Sequence, residues 1–159
     1  MKKVVIYSDG ASKGNPGDAG IGVVISDTEG NVLCEVAEYI GKQTNNVAEY
    51  AALICGLKEA ADLGATQVAI CTDSELLARQ LTGVYKVKAP NLKPLFEQAV
   101  VYLRVFERVT ISHVVRELNK RADELANEGV RKHKSDLRNG SAKPATPPTR
   151  KTRQGDLGF

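Results

Sequence analysis

Two short stretches of this chain share one design. Val4-Val5-Ile6-Tyr7-Ser8-Asp9-Gly10 and Val68-Ala69-Ile70-Cys71-Thr72-Asp73-Ser74 each run through four apolar residues, a hydroxyl, an aspartate and a small residue. Apolar runs of this length, rich in β-branched side chains and stopped by turn residues, read as strands buried on both faces. If the two lie parallel and side by side, Asp9 and Asp73 meet at the carboxyl edge of the sheet, where open α/β sheets place their sites.

The remaining pattern supplies the layers around such a pair. Residues 20–26 and 31–40 read as two further strands, joined by the turn Asp27-Thr28-Glu29-Gly30-Asn31 and therefore antiparallel. Residues 46–63 place Val47, Ala51, Ile54, Leu57 and Ala61 at helical spacing, with Gly64 as the closing cap. After a strand over 68–71 come a short helix over 75–81 and a helix over 95–105. A strand over 109–115 and a last helix over 119–133, capped by Asn119, complete the pattern. Antiparallel strands followed by alternating helices and strands predict an α/β fold, a mixed sheet covered by helices.

The 159 residues suit one domain with a core, and the net charge of +3 is a cancellation. Residues 1–130 carry 14 basic and 17 acidic side chains, a net −3, whereas residues 131–159 carry 8 and 2, a net +6. The expected division is a folded catalytic domain over 1–130 and a basic, proline-containing, disordered tail over 131–159. The tail has too few large apolar side chains to offset the entropy of ordering it. No apolar run approaches the ~18–20 residues of a membrane span, and the first residues lack a signal peptide's apolar stretch. Cys34, Cys55 and Cys71 fit neither a disulfide framework nor zinc-ligand spacing, so a reduced, cytoplasmic setting without a membrane is expected.

Two more carboxylates stand out. Glu49 is the only charged residue between Gln43 and Leu57, inside an apolar helix, where a charge must be paired, exposed or coordinated. Asp123 lies one turn into the last helix. Each acid alone has a local alternative: Asp9 and Asp73 as strand-end turn residues, Glu49 on an exposed face, Asp123 as a complement to the helix dipole. Clustered together they would repel, and hard divalent cations are the usual remedy. Mg²⁺ favours a few carboxylates with waters and phosphate oxygens, and two such ions ~3.5–4 Å apart serve phosphodiester cleavage. His113 and His133 are the only histidines, and neither a nucleophile elbow nor a phosphate-cradling Walker loop is present.

Over nearly all of residues 1–130 the chain resembles ribonuclease H type 1. The resemblance is carried by Tyr7-Ser8-Asp9-Gly10-Ala11-Ser12-Lys13-Gly14-Asn15-Pro16-Gly17, Thr44-Asn45-Asn46-Val47-Ala48-Glu49-Tyr50, Thr72-Asp73-Ser74 and Asn119-Lys120-Arg121-Ala122-Asp123-Glu124-Leu125-Ala126, in the family's order. It implies the ribonuclease H-like fold, a five-stranded mixed sheet in spatial order 3-2-1-4-5 flanked by helices. It also implies that Asp9, Glu49, Asp73 and Asp123 are catalytic and hold two Mg²⁺ ions, with Mn²⁺ as a substitute. The implied activity is an endonuclease that hydrolyses the RNA strand of RNA/DNA hybrids and leaves 5′-phosphate and 3′-hydroxyl ends. A monomer is expected. Gly10, Asn15, Asn45 and Asn46 match positions that touch the backbone and minor groove of the hybrid, and Thr44 one near a phosphate of the DNA strand. Amides can read 2′-hydroxyls across a wide, shallow groove without reading sequence. The local alternative for Asn45 and Asn46 is a helix N-cap.

The chain departs from the best-studied branch of that family in two places. Gly83-Val84-Tyr85-Lys86-Val87-Lys88-Ala89 stands where the branch carries a basic, Trp-containing insertion, and this chain has no Trp. The branch's histidine loop is replaced by the shorter Ser112-His113-Val114-Val115-Arg116-Glu117-Leu118-Asn119, in which His113 reads as strand. This short form is similar to the compact bacterial and archaeal branch. Residues 79–121, with 9 Lys/Arg against 3 acids, and the tail are the candidate sources of phosphate contacts. Gln154, Leu157 and Phe159, within residues 154–159, are similar to peptides that dock on sliding clamps, a chance match being the alternative. Two other functions stay open at this point: a related nuclease of broader range, acting on double-stranded RNA, and a catalytically weak hybrid-binding module.

Overall fold

The central strand of the molecule, β1 (Lys3–Ser12), lies between β2 (Gly17–Ser26) and β4 (Gln67–Thr72). With β3 (Val32–Gln43) beyond β2 and β5 (Arg108–His113) beyond β4, the five strands run in the order β3-β2-β1-β4-β5. The pairs β1–β2 and β2–β3 are antiparallel, while β1–β4 and β4–β5 are parallel, so the sheet is mixed as expected. This computed structural model describes residues 2–138. The clamp-like segment 154–159 and the rest of residues 139–159 lie outside the described residues.

The two matched stretches align without offset: Val4 pairs with Val68, Val5 with Ala69, Ile6 with Ile70 and Tyr7 with Cys71. Each aspartate therefore sits just past the end of the same parallel ladder. β1 does not stop at the turn-like Ser8-Asp9-Gly10, however. It runs on to Ser12 because β2 keeps pairing it after β4 has ended, Asp9 opposite Gly22 and Ser12 opposite Ala19.

Helices cover both faces. On the face that carries Ile6 and Val23 lies α1 (Asn45–Asp62), whose Gly56 lets the helix sit directly on those side chains. Leu53, Ile54 and Leu57 of α1 are fully buried, each contributing about 1.5–3 kcal/mol through removal from water. α2 (Glu75–Leu81) and α3 (Lys93–Leu103) complete that side, α3 packing on α1. On the opposite face α4 (Lys120–Arg138) lies across β2 and β3, where Gly20, Gly22 and Gly129 allow backbone-to-backbone approach.

Two local expectations are corrected. Asn119 does not cap the last helix. It ends a 3₁₀ turn (Arg116–Asn119), is buried, and donates from Nδ2 to the Ser8 carbonyl at 2.9 Å. α4 also continues past the expected end at 133, so residues 131–138, expected in the disordered tail, are helical and the boundary expected at 130 falls inside a helix. A polar stretch is held there by the Tyr39 ring stacked on His133 at 3.7 Å and by the Glu128–Lys132 pair at 3.5 Å. Among the described residues no helix is long and apolar enough to cross a membrane.

Candidate active site

The carboxyl edge of the sheet gathers the acids. One oxygen each from Asp9, Glu49 and Asp73 lie within 4.8 Å of one another, although the three residues come from β1, α1 and the turn after β4. Asp9 and Glu49 are each only 6% exposed. Glu49 is held from the sheet side: the Gly10 N–H donates to its Oε1 at 2.7 Å. That bond exists because residue 10 has no side chain, since a Cβ there would lie 2.3 Å from the Ala48 carbonyl carbon and 2.5 Å from the Glu49 nitrogen.

Asp123 is not one of this trio but lines the same cleft beside Asp9 and Glu49, close enough to help raise the Asp9 carboxyl. Asp9 and Asp123 come together because alternation along β1 turns Asp9 toward the α4 face, while Gly22, directly opposite Asp9, receives the Ala122 carbonyl of α4. Burial, then the neighbouring charge of Glu49, push the Asp9 carboxyl up to about 10. Burial also raises Glu49, against the opposing pull of the Gly10 N–H. Among the described residues no lysine or arginine comes within 4.0 Å of the carboxylates of Asp9, Glu49 or Asp73; Arg116 reaches only Asp123, at 4.0 Å. Such a set, all hard oxygen and lacking a cationic partner, fits a divalent cation of the Mg²⁺ or Mn²⁺ type.

A cleft of about 390 Å³ opens over Asp9, Glu49 and Asp123. Of the expected substrate contacts, Gly10 and Asn45 line it. Thr44, rather than Asn45 or Asn46, caps α1, accepting from the Val47 N–H at 3.3 Å. Asn45 and Asn46 are thereby left exposed, and Asn15 on the β1–β2 turn accepts from the Asn45 N–H at 3.1 Å, tying that turn to the start of α1. His113 ends β5, and its Nε2 lies 3.2 Å from the Asp73 carbonyl, which can only accept.

The cleft is also lined by Lys13 and Asn127, neither of which sequence reasoning singled out. Asn127 was detectable in principle: it follows Asp123 by one helical turn and so shares its face. Lys13 had no such signal, because its neighbour in space is 114 residues away.

Comparison with known proteins agrees with this geometry. Residues 7–129 match the family described as reverse transcriptase-like. A bifunctional protein of Mycobacterium tuberculosis is 46% identical over 129 residues, 80% of this chain and 35% of that protein, so the chain spans about a third of that relative's length. Ribonuclease HI of Halobacterium salinarum is 43% identical over 80% of this chain and 64% of its own length. The LC11 ribonuclease H1 from compost, solved in complex with an RNA/DNA hybrid, superposes with a TM-score of 0.78 at 47% identity, covering 81% of this chain and 97% of that one. On its fold, its motifs and these relatives, the chain belongs to the ribonuclease H type 1 family.

Proposed function

We propose that this chain is an endonuclease that hydrolyses the RNA strand of RNA/DNA hybrids, with two Mg²⁺ ions, or Mn²⁺ in their place, held by Asp9, Glu49, Asp73 and Asp123. The observation that carries the reading is the convergence of Asp9, Glu49 and Asp73 within 4.8 Å, beside an open cleft lined by Asp9, Glu49 and Asp123. When bound, such ions lower the pKa of an attacking water and neutralise the charge that develops on the leaving 3′ oxygen. In-line attack by water forms the new P–O bond and breaks the bond to the 3′ oxygen, which takes up a proton. The products are a 5′-phosphate and a 3′-hydroxyl.

The protein's own part is positioning. The Gly10 N–H fixes one oxygen of Glu49, which lines the cleft. Burial of Asp9 and Glu49 removes competing water, and with no cationic neighbour within 4.0 Å among the described residues their oxygens stay available to a cation. Gly10 and Asn45, which line the cleft, and Asn15, Thr44 and Asn46 beside them are the residues proposed to receive the hybrid's backbone and minor groove. The amides are exposed and short, suited to 2′-hydroxyls rather than to base edges. Cleavage of a strand-labelled RNA/DNA hybrid, compared with double-stranded RNA and DNA with and without EDTA, tests the reading. Mg²⁺-dependent cutting confined to the RNA of the hybrid is expected, and cutting that survives EDTA, or that favours double-stranded RNA, overturns it.

A further inference from the structure

The cleft lined by Asp9, Glu49 and Asp123 is strongly acidic, and a cation at its rim would help draw a phosphodiester backbone in. Lys13 stands there on the turn between β1 and β2. Its ammonium does not meet a carboxylate. It donates to the Asn127 side-chain oxygen, and the Asn127 amide in turn donates to the Asp123 carbonyl at 2.9 Å and to the Asp123 carboxylate at 3.3 Å. An amide thus separates the lysine from the acid. Among the described residues Lys13 forms no ion pair within 4.0 Å, and it lines the cleft with no carboxylate in direct contact.

The backbone under Lys13 is fixed. Its N–H donates to the Asp18 carbonyl at 2.8 Å, closing the turn. Gly17 packs so closely against it that a Cβ there would lie 2.7 Å from the Lys13 carbonyl. Next to it, the Ser12 hydroxyl reaches the Gln43 carbonyl at 2.8 Å, binding the turn to the end of β3. A lysine mounted on a closed turn, oriented by an amide and not paired with a carboxylate adds little to stability; what it suits is an incoming anion.

Building on the proposed nuclease function, we infer that Lys13 binds a backbone phosphate of the nucleic acid in this cleft, and that Asn127 is the positioning residue that keeps the ammonium near Asp123 without pairing it. One phosphate contact releases about one counterion and lowers the slope of log K against log salt by about 0.9, equivalent to about eightfold in affinity near 0.1 M salt.

The test is hybrid binding by fluorescence anisotropy across a salt titration, with steady-state cleavage alongside, on the full chain. Lys13→Met is expected to weaken binding about eightfold at 0.1 M salt, to reduce the salt slope by about one, and to raise KM more than it lowers kcat. Lys13→Arg should restore most of the slope. Asn127→Asp, which hands Lys13 a direct carboxylate partner, should weaken binding in the wild-type background but add little in the Lys13→Met background. An unchanged slope and affinity in Lys13→Met, with hybrid still bound and cut by the wild type, overturns the assignment of Lys13 and leaves the nuclease reading standing. Wild-type protein that neither binds nor cuts hybrid overturns the nuclease reading itself.

Discussion

Gly22 is the residue on which the position of Asp123 depends. It faces Asp9 across the β1–β2 ladder and takes the backbone of α4 where a side chain would otherwise project. In Gly22→Ala the new Cβ would lie 2.0 Å from the Ala122 carbonyl oxygen, 2.5 Å from the Ala126 nitrogen and 2.9 Å from the Leu125 Cβ. Ordinary contact begins near 3.4 Å, so the first turn of α4 must retreat by well over 1 Å. Two of the three obstacles are backbone, and rotamer changes cannot relieve them. Overpacking of this kind costs about 1–3 kcal/mol, offset in part by the roughly 0.5–1 kcal/mol gained when a strand glycine is replaced. The net loss should lower the melting temperature by about 2–8 °C. The effect on function should be larger, because Asp123 follows Ala122 directly and moves with it, and a 1 Å misplacement costs about 100-fold in rate. Gly129→Ala supplies the comparison: its Cβ would meet the Glu38 carbonyl at 2.5 Å, at the middle of α4. Six residues of helix, about 9 Å, separate it from Asp123. The assay is kcat on a fluorescent RNA/DNA hybrid at saturating Mg²⁺, with thermal melts of both variants. Both should lose stability, and only Gly22→Ala should lose about two orders of magnitude in kcat. Wild-type kcat in a clearly destabilised Gly22→Ala protein would refute the claim that this contact positions Asp123.

Two further outcomes follow from the site's electrostatics and packing. The folded Asp9 carboxyl titrates near 10 against an ordinary value of 3.8, so the folded state holds its proton more tightly than the unfolded state does. Without divalent cations the associated stability is fully present below 3.8 and is lost as pH rises through 10; melting curves in EDTA should therefore fall in midpoint from about pH 5 to about pH 9. Asp9→Asn or saturating Mg²⁺ should flatten that trend, and a midpoint in EDTA that rises with pH would contradict it. Asn119→Ala strips the buried Ser8 carbonyl of its side-chain donor and should cost about 1–3 kcal/mol in urea unfolding; an unchanged midpoint would show that the bond contributes nothing.

The residues differ in how far their roles could be read from the chain alone. The parallel placement of Asp9 and Asp73 was legible because it rests on a local pattern that appears twice, and the sheet pairs the two copies residue for residue. The burial of Glu49 was legible as a problem, a charge among alanines and leucines, though its solution required the Gly10 N–H from another element. Asn119 was misread because a local rule, Asn before a helix, competed with a tertiary contact to Ser8, 111 residues away, and the contact prevailed. The length of α4 was missed for a related reason. Composition sees a polar stretch after residue 130, whereas the stacking of His133 on Tyr39 depends on where β3 lies. Lys13 and Asn127 belong to the same class, adjacent only after β1, β2 and α4 have assembled.

The most direct test of the whole account is Asp9→Asn. Asp9 is central to the acids of the site: it lies within 4.8 Å of Glu49 and Asp73 and lines the cleft beside Asp123. Replacing it with its near-isosteric amide should leave the circular dichroism spectrum and cooperative melting intact. Cleavage of the RNA strand of a labelled RNA/DNA hybrid should fall to background in both Mg²⁺ and Mn²⁺. Cleavage by the folded variant at a rate within tenfold of the wild type would contradict the account.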